Sequence, residues 1–116
     1  MAGLFGKIDS RADFFRALGD ATALCKRLIA RLPQEATLKS VLAQLEAIAV
    51  WTDHGRTPTL AERKSLDLSL RMYRAYETSP DVEIDELSTS SAGVHNYVDA
   101  WPSDAVAADP DNHKYL

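Results

Sequence analysis

The stretch SRADFFRALGDATALCKRLIARLP, residues 10–33, decides the fold class. Its apolar residues recur at alternating spacings of four and three, which is the period of an amphipathic α-helix. They are Phe14, Leu18, Ala21, Cys25, Leu28 and Leu32. Ser10 can cap the free amides of the first turn, and Pro33 cannot continue a helix. The stretch therefore predicts one helix over residues 10–32.

Three further helices follow from stripes of the same period, separated by short segments that contain Pro or Gly. They are predicted over residues 36–53, 60–78 and 80–101. The last one contains a serine-rich run, so a break near residues 88–93 is the alternative to a continuous helix. Four helices joined by short loops predict an all-α fold, an antiparallel four-helix bundle.

The helix ends carry recognisable signals. Thr59 and Glu62 have the spacing of a capping box at the start of the third helix. Ser79 suits the cap of the fourth helix, with Pro80 in its first turn. Gly55 suits the left-handed residue that ends the second helix.

The stripes also predict the core. Leu28 and Leu45 are predicted to lie at its centre, on the first and second helices. The third helix has one wide apolar arc and a polar face opposite to it. The arc comprises Leu66, Leu68, Leu70, Met72, Tyr73 and Tyr76, and the polar face comprises Arg63, Lys64, Asp67, Arg71 and Arg74. On the polar face, Asp67 is expected to pair with Arg63 and Arg71 at i,i+4 spacing.

Length and composition limit the class of protein. A chain of 116 residues with 46% hydrophobic residues suits one globular domain. We expect that domain over residues 1–102, followed by a poorly ordered acidic tail over residues 103–116. The single cysteine excludes a disulfide framework within the chain, and no apolar segment resembles a secretion signal or a membrane span. These features predict a cytoplasmic protein without membrane contact.

Residues with catalytic or metal-binding chemistry are scattered. The three histidines lack the spacing of a zinc or di-iron site, and the five glycines form no phosphate-binding loop. Cys25 lies on the apolar stripe and is expected to be core. His95 and Asp99, spaced i,i+4, are the remaining catalytic candidates, although a local surface contact explains them as well. The sequence therefore predicts no enzyme activity, no metal and no cofactor.

The charge is divided unevenly along the chain. Residues 1–74 hold twelve basic and eight acidic side chains, whereas residues 75–116 hold one basic and nine acidic ones. Such asymmetry favours a partner with a complementary surface, and acidic residues disfavour nucleic acid. The predicted protein-docking face combines acidic residues with aromatic anchors. Its members are Asp81, Glu83, Asp85, Glu86, Tyr97 and Trp101.

Several short segments resemble small helical immunity proteins of bacterial type VI secretion. The resemblance covers about residues 20–101. It rests on Arg31-Leu32-Pro33, Gln44-Leu45-Glu46-Ala47-Ile48, Gly55-Arg56-Thr57-Pro58-Thr59, Glu62-Arg63 and Leu66. Proteins of that family bind and block an NAD(P)-hydrolysing effector toxin and are not enzymes. The resemblance therefore implies a cognate toxin as partner and no catalytic residues.

A second class of function stays open beside this one. A helical adaptor or regulatory homodimer would bury its wide apolar stripes between two subunits. For the toxin-binding class, we expect occlusion of the toxin's active-site cleft, with the acidic half of the chain supplying steering and specificity.

Overall fold

The computed structural model describes Ile8 and residues 10–101, and it confirms the all-α prediction. Five α-helices are present: α1 (Arg11–Arg31), α2 (Ala36–Trp51), α3 (Leu60–Lys64), α4 (Leu68–Tyr76) and α5 (Val82–Ala100). A 3-10 turn, Asp53–Gly55, follows α2, and no strand occurs in the described part of the chain. The predicted acidic tail at residues 103–116 lies outside the described residues.

The four longer helices form a bundle in which α1 and α4 each pack against both α2 and α5, while the short α3 lies against α5. Side-chain contacts define the directions of neighbouring helices. Arg31 at the end of α1 pairs with Asp81 at the start of α5. Tyr76 at the end of α4 donates a hydrogen bond to Glu35, which precedes α2. Both pairs of neighbours therefore run antiparallel, as the sequence predicts.

The predicted helix caps are confirmed at two of three starts. The Ser10 hydroxyl accepts the Asp13 amide at 3.1 Å, and Thr59 and Glu62 form the complete capping box. The prediction for α5 was wrong, because this helix begins at Val82 and its cap is Asp81. The Asp81 carboxylate accepts the amides of the first turn, which a negative charge at a helix N-terminus favours.

The segment after α2 reverses the chain through two left-handed residues. His54 has φ 58° and Gly55 has φ 79°. The glycine was predicted for this conformation, whereas the histidine adopts it at a steric cost. Helix α2 ends at Trp51, two residues before the predicted end.

The third predicted helix is broken, and this break is the main departure from the sequence prediction. Helix α3 ends at Lys64 and α4 begins at Leu68. The Gln44 side chain of α2 holds the break, since its Oε1 accepts the Asp67 amide at 2.9 Å and its Nε2 donates to the Asp67 carboxylate at 2.5 Å. Asp67 forms the expected pair with Arg71, but Arg63 donates instead to the Asp99 carbonyl.

The break rotates α4 relative to the arc predicted for an unbroken helix. Leu66, Leu68 and Met72 are buried as predicted, whereas Leu70 is 47% exposed and Tyr73 is 61% exposed. The prediction that Leu70 and Tyr73 belong to the core was therefore wrong. Both side chains lie on the outer face of α4.

The core itself follows the predicted stripes of α1, α2 and α5. Leu28 and Leu45 are fully buried. Cys25 is buried against the Leu38 carbonyl, and burial, with a smaller contribution from the charge of Glu46, raises the pKa of its thiol to about 11. This cysteine therefore packs as a small apolar residue. Helix α5 is continuous across residues 88–93, so the alternative of a break there is excluded.

One core residue of α5 gives a stability prediction. The Ser91 hydroxyl is fully buried and has no hydrogen-bond partner among the described residues. We expect Ser91→Ala to raise the free energy of unfolding by about 1 kcal/mol, because it removes an unsatisfied polar group. Urea denaturation followed by circular dichroism measures the change.

Thr52 provides the control, since its buried hydroxyl donates to the Ile48 carbonyl at 2.7 Å. Thr52→Val should lower the free energy of unfolding by about 1 kcal/mol, because it removes a hydrogen bond that is made. A clear loss of stability in Ser91→Ala would show that this hydroxyl is satisfied after all.

Candidate protein-docking surface

The described residues contain no cluster of His, Cys, Asp or Glu that could hold a metal ion. Across the same residues, no helix combines the length and the apolar character that crossing a membrane requires. The six predicted docking residues lie on α5 or at its ends.

Asp81 and Glu83 are occupied by ion pairs within the chain. Arg31 of α1 contacts Asp81 at 2.8 Å and Glu83 at 3.4 Å, and Arg27 contacts Glu83 at 2.9 Å. The hydrogen bond from Arg31 is the largest cause of the lowered pKa of Asp81, and the amides that it caps add to the effect. These two acids join α1 to α5, so much of their charge is neutralised within the chain.

Asp85 and Glu86 differ from Asp81 and Glu83 because no basic side chain among the described residues pairs with them. Within the described part of the chain, neither forms an ion pair. Asp85 is exposed and Glu86 is half-buried. Of the four predicted acidic residues, these two lack an ion-pair partner among the described residues.

Tyr97 and Trp101 are core residues rather than exposed anchors. They are 6% and 8% exposed. The ring of Phe14 stacks on Tyr97 at 4.8 Å and meets Trp101 edge-on at 5.3 Å, between ring centroids. The Arg11 guanidinium covers the Trp101 ring at 4.1 Å. Phe14 and Arg11 of α1 thus enclose both aromatic side chains, and the predicted anchor role does not fit these positions.

Tyr73, on α4, is the more exposed of two exposed aromatic side chains among the described residues, the other being Phe15 of α1. Tyr73 lines a groove of about 160 Å³ between α4 and α5, together with Glu77 and Asp85. Leu70 lines a second groove, of about 400 Å³, between α4 and the start of α2. Neither residue was among the predicted docking residues, because the apolar arc placed both in the core.

The second groove carries the opposite charge. Asp67, Arg71 and Arg74 line it beside Leu70, so two of its three charged side chains are basic. Arg71 donates to Asp67 at 2.7 Å, whereas Arg74 has no ion pair within the described residues. Hydrogen bonds from Gln44 and from Arg71 lower the pKa of Asp67, so its carboxylate stays charged.

These side chains define one surface, which we call the α4 face. It consists of Leu70, Arg71, Tyr73, Arg74, Glu77 and Asp85. Its centre is apolar and aromatic, its flank toward α2 is basic and its flank toward α5 is acidic. Exposed aromatic residues bordered by charge are typical of protein-docking surfaces.

His95 has a different partner from the one expected. Its Nδ1 lies 2.8 Å from the Ser69 hydroxyl, and no hydrogen bond or ion pair joins it to Asp99. The antiparallel packing of α4 on α5 brings Ser69 and His95 together. Because they are far apart in the sequence, the sequence alone does not predict this contact. A hydrolytic site also needs a group that orients the imidazole, and the described residues give His95 no second hydrogen bond.

Comparison of the chain with protein-family models, with curated proteins and with solved structures finds no match. The resemblance to type VI immunity proteins stays an expectation from the sequence segments quoted above. The α4 face is an independent observation, because it comes from the packing of the helices.

Proposed function

We propose that this chain is an inhibitor that binds a cytoplasm-acting, NAD(P)-hydrolysing toxin and covers its active-site cleft. The observation that carries the proposal is the groove between α4 and α5, where the exposed Tyr73 lies beside the uncompensated Asp85. Tyrosine is enriched among the residues that dominate protein–protein binding energies.

The charge of this groove suits such a target. NAD(P) carries an anionic pyrophosphate, so a cleft that binds it presents basic side chains or helix N-termini. An acidic surface complements that cleft and accelerates association. Asp85 and Glu86 supply this charge in the proposal, and Tyr73 takes the anchoring role that the sequence analysis gave to Tyr97 and Trp101.

The proposal also holds that the chain performs no chemistry of its own. An inhibitor of this kind acts by occupying a cleft, so it requires neither a cofactor nor a catalytic group. The Ser69–His95 contact then serves to join α4 to α5.

The experiment measures NAD⁺ consumption by an NAD(P)-hydrolysing toxin encoded beside this chain's gene, with and without the purified chain. The chain should abolish the activity at an equimolar ratio. In Asp85→Lys/Glu86→Lys, we expect the association rate constant to fall about tenfold, because long-range attraction governs this rate and is screened by salt.

The matched control is Asp20→Lys/Glu46→Lys, which changes the net charge equally at two exposed positions on α1 and α2. This control should inhibit nearly as well as the unmodified chain. If Asp85→Lys/Glu86→Lys folds normally and binds with unchanged affinity, the acidic-face mechanism is wrong and the Arg56 loop becomes the next surface to test. Failure of the unmodified chain to inhibit would remove the proposed function.

A further inference from the structure

We propose that the α4 face also binds a second copy of this chain. The two copies form a symmetric dimer whose two-fold axis lies in the interface, parallel to α4. The dimer contact uses Tyr73 and Asp85, which the proposed function assigns to the toxin, so a second copy and the toxin would compete for this face. The test of the dimer uses the chain alone and does not depend on the toxin. The proposed dimer follows from the order of groups across the face.

The face divides into three strips. Leu70 and Tyr73 are neighbours at i,i+3 spacing and form the apolar centre. Asp67, Arg71 and Arg74 line the groove on the α2 side. Asp67 pairs with Arg71, so Arg74 gives this side its net positive charge. Glu77 and Asp85 line the groove on the α5 side. One face therefore carries both signs of charge, on opposite sides of an exposed apolar strip.

Symmetry decides how two such faces can meet. A two-fold axis perpendicular to α4, within the interface, would set Arg flank against Arg flank and acid flank against acid flank. An axis parallel to α4 sets the basic flank of each copy against the acidic flank of the other and brings the two apolar strips together. Because like charges repel, charge complementarity selects the parallel arrangement.

The groups needed for this contact are available. Arg74 and Asp85 form no ion pair within the described residues, so pairing across the dimer would break no existing bridge. Leu70 and Tyr73 would remove exposed apolar surface from water.

The face is small, which sets the expected strength. Helix α4 has nine residues, and its length is about 13 Å at 1.5 Å per residue. Stable interfaces bury about 1,200–2,000 Å² in total. We therefore expect a weak dimer that dissociates on dilution and in high salt.

The test uses sedimentation velocity of the full chain between about 10 μM and 1 mM, a range suited to weak association. Arg74→Glu and Asp85→Lys should each raise the dissociation constant about tenfold, which corresponds to 1.4 kcal/mol. An equimolar mixture of the two variants should form a heterodimer about as tight as the unmodified dimer. Tyr73→Ala should also weaken association, and mixing it with either charge variant should not restore the affinity of the unmodified dimer.

Circular dichroism melts establish that each variant is folded. The proposal is wrong if the unmodified chain stays monomeric at 1 mM, if both charge variants associate as well as it does, or if the mixture fails to restore association. If the chain is a monomer that still inhibits the toxin, the dimer is wrong and the proposed function is supported. If the chain forms the dimer but does not inhibit, the proposed function is wrong and the dimer is supported.

Discussion

Replacing Phe14 by alanine is expected to lower the free energy of unfolding by about 3–5 kcal/mol. Phe14 is fully buried, and its ring contacts both Tyr97 and Trp101 of α5. The substitution removes apolar contact area and leaves a cavity where α1 meets α5, because surrounding side chains relax only in part. Urea denaturation followed by circular dichroism gives the free energy.

Phe15→Ala is the matched control, since the neighbouring ring is 38% exposed. It should cost markedly less than Phe14→Ala. A double-mutant cycle between Phe14→Leu and Tyr97→Leu should give a coupling of about 0.5–1.5 kcal/mol for the stacked rings. Equal effects of Phe14→Ala and Phe15→Ala would contradict the burial described for this cluster.

Leu28→Ala and Leu45→Ala should each lower the free energy of unfolding by about 2–5 kcal/mol. Both side chains are fully buried, one on α1 and one on α2. Removal of their methyl groups loses transfer free energy and opens cavities between closely packed helices. Thermal melts and urea titrations measure the change.

Leu70→Ala makes the same chemical change on the outside of α4, where the side chain is 47% exposed. We expect it to cost less than about 1 kcal/mol. If Leu28→Ala or Leu45→Ala melts at the temperature of the unmodified chain, that residue does not belong to the core.

Local signals in the sequence were sufficient for most helices. Ser10 and the capping box at Thr59 act within their own first turn, so neighbouring residues suffice to predict them. The apolar period of α1 extends over many turns, and tertiary packing reinforces it. These are the parts of the fold where local preference and overall packing agree.

The break before α4 depends on a contact that is distant in sequence. Gln44 bonds to Asp67, 23 residues away. The apolar residues around the break fit an unbroken helix, so periodicity alone cannot detect it. Asp67 before Leu68 resembles a helix start, and with the four-residue spacing of Leu68 and Met72 it is the one local signal that could have revealed the break.

The surroundings of the six predicted docking residues could be foreseen from the sequence only in part. Asp85 and Glu86 have no ion-pair partner among the described residues, whereas Asp81 and Glu83 pair with arginines of α1. Burial of Tyr97 and Trp101 depends on Phe14, which is distant in sequence. Exposure of Tyr73 depends on the break. Each of these outcomes is set by the relative placement of helices, which a stripe on one helix does not specify.

The break has a consequence for how the outer surface can change over time. A point substitution alters one side chain but leaves the angular setting of α4 intact, because Gln44 fixes Asp67 through two hydrogen bonds. An insertion of one residue between Asp67 and Leu68 would shift the sequence of α4 by one helical position, which is about 100°, and would move Leu68 and Met72 toward water. Single substitutions can therefore change the side chains of the α4 face one at a time, whereas a change in the length of the break would disturb the core.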